Sequence, residues 1–82
     1  RIGNIKISKS MNVSKQEFDF MVQSVTTDLI TILTKEKHLS ISKAFDILYQ
    51  SKTFAKLLDA NTGLYYQSPR YIYSYLVEEK KI

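Results

Sequence analysis

Residues 14–37 read SKQEFDFMVQSVTTDLITILTKEK, and this stretch decides the fold. Ser14-Lys15-Gln16-Glu17 has the spacing of a capping box, in which the serine oxygen accepts the backbone N–H three residues on and the glutamate reaches back to the serine N–H. A helix is expected to start there. At about 100° per residue, Phe18, Met21, Val22, Val25, Leu29, Ile32 and Leu33 fall within a stripe roughly 120° wide, the width of a core-facing surface. The helix is expected to run to about Lys37. Its opposite side lacks the lysines and glutamates of a solvated face and carries Phe20, Gln23, Thr27, Thr31 and Thr34, with Ile30 at its margin. Such a face is either a threonine-rich wet surface or a contact for a second chain or for the N-terminal arm.

Downstream, Ser40 or Ser42 can cap a second helix. Ile41, Ala44, Phe45, Leu48 and Tyr49 follow the i, i+3, i+4, i+7, i+8 rule, which predicts a helix over Ile41 to Gln50. Ser51 offers a further cap, and Phe54, Leu57 and Leu58 supply the apolar side of a short third helix ending near Asp59-Ala60-Asn61. Gly63 then suits a left-handed turn, and Leu64, Tyr65 and Tyr66 read as an extended segment. Ser68-Pro69 begins the last helix with a serine cap and a proline at the first helical position, where the missing N–H does no harm. In that helix Ile72, Tyr75, Leu76 and Glu79 share one side, flanked by Tyr71, while Tyr73 and Val77 point elsewhere. The expected fold is all-α: a single compact domain of four helices over residues 14–82, the first helix long, with an irregular tyrosine-rich segment before the last.

Composition agrees. With 44% apolar residues, 24% charged residues, two glycines and one proline in 82 residues, the chain has the make-up of an ordered helical globule and too few turn-formers for a many-stranded sandwich. No cysteine is present, which excludes a disulfide scaffold and a thiolate metal site. No apolar run approaches the roughly 18 residues of a membrane-spanning helix, and no stretch has the make-up of a signal peptide, so no membrane association and a cytoplasmic location are expected. Asn12-Val13-Ser14 matches a glycosylation sequon, a chance match in that setting. Residues 1–13 read as an arm in which Ile2, Ile5 and Ile7 alternate loosely with polar residues. It is either a native terminus or, before Met11, sequence upstream of the native start.

The net charge of +4 is unevenly placed. Arg1, Lys6, Lys9 and Lys15 precede the first acid, whereas from Glu17 onward eight basic residues face eight acidic ones. The body is therefore neutral. Nucleic-acid affinity needs clustered cations facing phosphates, so this distribution weighs against a DNA-binding body. The alternative reading is a helix-turn-helix over residues 41–59, with Lys52, Lys56 and Arg70 meeting phosphates and Thr53 a base. Against it, the short third helix contains no Arg, Asn or Gln for base readout.

No residue set reads as catalytic or metal-binding. His38 is the sole histidine, Glu78-Glu79 sit among Lys80 and Lys81 as on a salt-bridged face, and Gly3 and Gly63 are too isolated for a phosphate loop. Asp59-Ala60-Asn61-Thr62-Gly63 superficially matches a calcium loop, but its glycine falls one place early and Arg70 stands where a bidentate glutamate should close the site. Neither an enzyme nor a cofactor is expected. The tyrosines are the remaining signal, four of six lying between Thr62 and Tyr73. Tyr65, Tyr66, Tyr71, Tyr73 and Tyr75 either pack with their hydroxyls reaching solvent or line a partner surface, for which tyrosine is well suited. The candidate interaction residues are Phe20, Thr27, Ile30, Thr31, Tyr65, Tyr66, Tyr71 and Tyr73.

The pattern of Ile41 to Tyr49, Ser51-Lys52-Thr53, Leu57, Thr62-Gly63-Leu64-Tyr65, Ser68-Pro69, Tyr71-Ile72-Tyr73 and Leu76 with Glu79 resembles small uncharacterised bacterial helical proteins of a domain-of-unknown-function type. The resemblance covers roughly Phe18 to Glu79. It implies an operon of the toxin–antitoxin kind and a protein partner rather than a substrate. Together with the residues, it leads to the expectation of a non-enzymatic protein-interaction module, antitoxin-like or an accessory regulator, that forms a dimer or a partner complex.

Overall fold

The computed structural model describes residues 14–82; the arm of residues 1–13, with its alternating isoleucines, lies outside the described residues. Four α-helices follow in order: α1 (Lys15–Glu36), α2 (Ile41–Tyr49), α3 (Lys52–Leu57) and α4 (Pro69–Lys80). Two single turns of 3-10 helix, Ala60–Thr62 and Leu64–Tyr66, join α3 to α4. No strand occurs among the described residues. The all-α, four-helix domain is as expected.

α1 is the spine. Its capping box is formed: Glu17 N–H donates to Ser14 Oγ at 3.1 Å, and Ser14 N–H to Glu17 Oε1 at 3.0 Å. The Ser14 N–H, and after it the Ser14 hydroxyl, hold the Glu17 carboxyl below its ordinary range. The helix stops because His38 turns left-handed (φ 58°) just beyond the Lys37 cap, whose N–H donates to Leu33 O at 3.0 Å. α2 and α4 both pack against α1, and α3 packs against α2 and α4. Leu29, Leu33, Ala44, Leu48, Leu57, Ile72 and Leu76 are completely enclosed and form the centre of the core.

Two faces are turned relative to expectation. On α1 the buried residues are Val22, Val25, Leu29, Ile30 and Leu33, while Phe18, Met21 and Ile32 are only partly covered. The stripe is thus rotated by about 50° toward Ile30, which joins the core instead of the back face. A helix clasped by both α2 and α4 needs a stripe wide enough for two neighbours, and Ile30 supplies the extra width. On α4, Ile72, Tyr73 and Leu76 are buried and Val77 is half-buried, whereas Tyr71 and Tyr75 face solvent. The expected side, with Tyr75 inward and Tyr73 outward, is therefore corrected.

The tyrosine segment is not extended. Leu64–Tyr66 is a helical turn, closed by Tyr66 N–H to Gly63 O at 3.1 Å and Gln67 N–H to Leu64 O at 2.9 Å. Side-chain oxygens organise the approach to it: Asp59 Oδ1 accepts from Asn61 N–H at 3.0 Å, and the Thr62 hydroxyl donates to Lys56 O and Asp59 O at 2.6 and 2.8 Å. Gly63 adopts φ 71°, the left-handed conformation its lack of a Cβ permits. Tyr65 then packs edge-on against Phe18 near the start of α1, with centroids 4.8 Å apart. Gln67 and Ser68 are extended (ψ 159° and 151°), as a residue before proline prefers, and carry the chain along α1 toward its far end. There Arg70 pairs with Glu36. Each of these charges sits at the unfavourable end of its own helix dipole, and the pairing relieves both.

Candidate interaction surface

The helix joint between α2 and α3 carries three of the large apolar side chains left uncovered, Ile41, Tyr49 and Leu58. Ile41, Phe45 and Tyr49 recur every four residues along one flank of α2, and Phe54 and Leu58 continue the line on α3. Ile41 is 64% exposed, Tyr49 54% and Leu58 50%, with Phe45 and Phe54 half-buried beside them. The rings touch in tilted pairs: Phe45 and Tyr49 centroids lie 5.2 Å apart, Tyr49 and Phe54 4.9 Å. Aromatic side chains held against each other in this way present a rigid apolar ridge, the kind of surface that carries binding energy at low entropic cost. The helical spacing rule places Ile41, Ala44, Phe45, Leu48 and Tyr49 together on the apolar side of α2. Only Ala44 and Leu48 of that set are buried, because Ile41 begins the helix at its outer end and Tyr49 ends it beside the turn into α3.

The expected interaction residues divide. Phe20 is 71% exposed and Thr27 and Thr31 are exposed on the back of α1. The threonine hydroxyls there are spent on their own helix: Thr31 donates to Thr27 O at 2.9 Å and Thr34 to Thr31 O at 3.0 Å. This leaves a smooth, weakly polar face. Tyr66 and Tyr71 are also exposed, and the Tyr71 and Tyr75 hydroxyls lie 2.9 Å apart, each ring edge-on to the other. That contact pushes the Tyr71 phenol above its ordinary range. Ile30, Tyr65 and Tyr73, by contrast, are buried and belong to the core. Burial, then the adjoining Tyr66 hydroxyl, raise the Tyr65 phenol. Tyr73 is enclosed with its hydroxyl unpartnered among the described residues, and burial raises its phenol too. The Arg70 guanidinium carbon stands 5.9 Å from the Tyr73 ring centroid.

The nucleic-acid candidates are placed by a different device. α3 has six residues, too few to hold as an isolated helix, and its first turn is tied down from two sides. Ser51 Oγ accepts from Phe54 N–H at 2.9 Å. Glu79, reaching across from α4, accepts from Lys52 N–H at 2.6 Å, Thr53 N–H at 2.9 Å and the Thr53 hydroxyl at 2.8 Å. All the N–H groups that the helix itself leaves unpaired are thereby satisfied. Burial works against the Glu79 charge, but the three donors prevail and its carboxyl is held below the ordinary 4.5. Thr53 is buried and its hydroxyl is committed to Glu79, so it does not face outward as base readout requires. Arg70 is paired with Glu36. Lys52 and Lys56 remain exposed, at the edge of a cleft of about 400 Å³ between α3 and α4 that Glu78 and Glu79 also line.

Sequence reasoning missed the ridge residues Ile41, Tyr49 and Leu58 as surface, and missed Glu79 as a clamp. The second has no local signal, since the residues it binds lie 26 and 27 positions away. No described helix is long and apolar enough to cross a membrane. No protein-family model, curated protein or solved structure matches the chain.

Proposed function

We propose that the chain is a protein-interaction module that engages its partner through the α2–α3 ridge and does no chemistry of its own. The observation that carries this reading is the group of exposed Ile41, Tyr49 and Leu58, with Tyr49 in ring contact with the half-buried Phe45 and Phe54, on a body without excess charge. Small domains leave scattered apolar residues uncovered, but several large ones gathered at one helix joint suit a docking surface. The exposed tyrosines of α4 and the back of α1 with Phe20 are secondary contacts in this reading. An antitoxin-like or accessory-regulator role, implied by the resemblance in the sequence, fits a module of this kind. DNA binding is less favoured, because a phosphate approaching Lys52 and Lys56 also meets Glu78 and Glu79.

Light scattering over a range of concentrations, with a pull-down from the native cell, tests the proposal. The expected result is a dimer or a stoichiometric partner complex that Tyr49→Ser with Leu58→Ser disrupts, while the variant keeps its helical signal and melting temperature. A strictly monomeric protein that recovers no partner at any concentration overturns it.

A further inference from the structure

The cleft between α3 and α4 has a charge arrangement that the interaction reading does not use. Lys52 and Lys56, one turn apart on α3, stand on one wall, while Glu78 and Glu79 line it from α4. The four charges cancel in sum, the lysines coming from α3 and the glutamates from α4. Glu79 is committed to the backbone of α3, and among the described residues the ion pairs are Lys15–Asp19 and Arg70–Glu36, neither of which involves the cleft. Lys52, Lys56 and Glu78 therefore line a space of about 400 Å³ without an ion-pair partner among the described residues, together with Tyr75 and Leu64. That volume falls in the range of small-ligand sites, which combine an apolar lining with a few convergent polar groups.

The geometry points to a binding site for a small zwitterion with an apolar body, of the chemical class of a free amino acid with a large aliphatic or aromatic side chain, its carboxylate on Lys52 and Lys56, its ammonium on Glu78, and its apolar part against Tyr75 and Leu64. A net anion gains from the lysines but meets the two glutamates, and a net cation meets the opposite conflict. A neutral molecule with separated charges satisfies both walls. The site is independent of the α2–α3 ridge, so its success or failure leaves the interaction reading untouched.

The test is a ¹H–¹⁵N NMR titration of the whole chain with L-phenylalanine and L-leucine, compared with 3-phenylpropionate (carboxylate only) and phenethylamine (ammonium only). Saturable shifts of the Lys52, Thr53, Lys56, Leu64 and Tyr75 amides are expected with the zwitterions. The single-charge analogues should bind about tenfold more weakly or worse, the effect of one lost charge-assisted hydrogen bond. Lys56→Glu and Glu78→Lys, both at exposed positions, should each weaken binding by a similar factor without lowering the melting temperature, and the double exchange should restore part of it. The proposal is overturned by non-saturating shifts up to about 10 mM, a concentration beyond the millimolar end of specific binding. It is equally overturned by single-charge analogues binding as well as the zwitterions, or by shifts mapping away from the cleft.

Discussion

Removing the Glu79 carboxylate should loosen α3 more than any other surface substitution. Three donors converge on it, two of them backbone N–H groups at a helix start that has no other partner for them. A helix cap is worth about 1 kcal/mol, and a hydrogen bond to a charged group about 1.5–3 kcal/mol net. Glu79 is partly open to water, so the lower figures apply: Glu79→Ala should cost about 2 kcal/mol, and Glu79→Gln, which keeps an acceptor but not the charge, about 1 kcal/mol. For a domain of this size the alanine variant should melt about 8–16 °C lower. Thermal and urea unfolding followed by circular dichroism measures this, and hydrogen exchange at the Lys52 and Thr53 amides locates it. The pH dependence supplies an independent check. Because the folded carboxyl titrates below its ordinary 4.5, the unfolded chain binds the proton more readily. The stabilisation is then complete above that value and disappears as pH falls through the lower folded value. Glu79→Gln should remove this part of the acid-side slope while leaving the parts due to Glu17 and Glu36, whose carboxyls are also held low. An alanine variant as stable as the parent, with unchanged exchange at Lys52 and Thr53, would refute the clamp.

Other substitutions test the core and its margins. Tyr73→Phe deletes a buried oxygen that has no partner among the described residues, so it should leave stability unchanged or raise it by up to about 1 kcal/mol in urea unfolding. Tyr65→Phe, whose hydroxyl adjoins that of Tyr66, should instead lower stability. Leu76→Ala empties a fully enclosed site and should cost about 3 kcal/mol of the roughly 4–12 kcal/mol expected for a chain of this length, read as a lower urea midpoint. His38→Gly relieves a left-handed backbone at the end of α1 and should raise the urea midpoint by the equivalent of about 1 kcal/mol.

The helices were legible in the sequence because their punctuation is local. Ser14, Ser40, Ser51 and Ser68 each cap a helix within three residues, Pro69 opens the last one, and Gly63 takes the turn that only a residue without a side chain takes freely. The faces were less legible. α1 and α4 carry apolar residues on both margins of their stripes, Ile30 on one side of α1 and Tyr73 with Val77 against Tyr75 on α4. Periodicity alone cannot say which margin is covered, since that depends on where the neighbouring helices lie. The same holds for α2, where Ile41 and Tyr49 obey the helical rule yet sit beyond the reach of the core. The 3-10 turn at Leu64–Tyr66 escaped because it is closed by backbone bonds to Gly63 O and Leu64 O within a single turn, too short for any periodic pattern. Of the eight expected interaction residues, the three on apolar margins or at the heart of the tyrosine segment, Ile30, Tyr65 and Tyr73, are buried, while the exposed ridge went unforeseen.

Docking through the ridge is best tested by photo-crosslinking in the native cell, with a reactive residue placed at position 49 on the ridge or, as a control, at exposed position 19 near the start of α1. If the ridge is the docking surface, position 49 yields one discrete crosslinked species, a dimer or a single partner complex, which Leu58→Ser abolishes and position 19 does not give. No crosslink from position 49, or the same products from both positions, contradicts it.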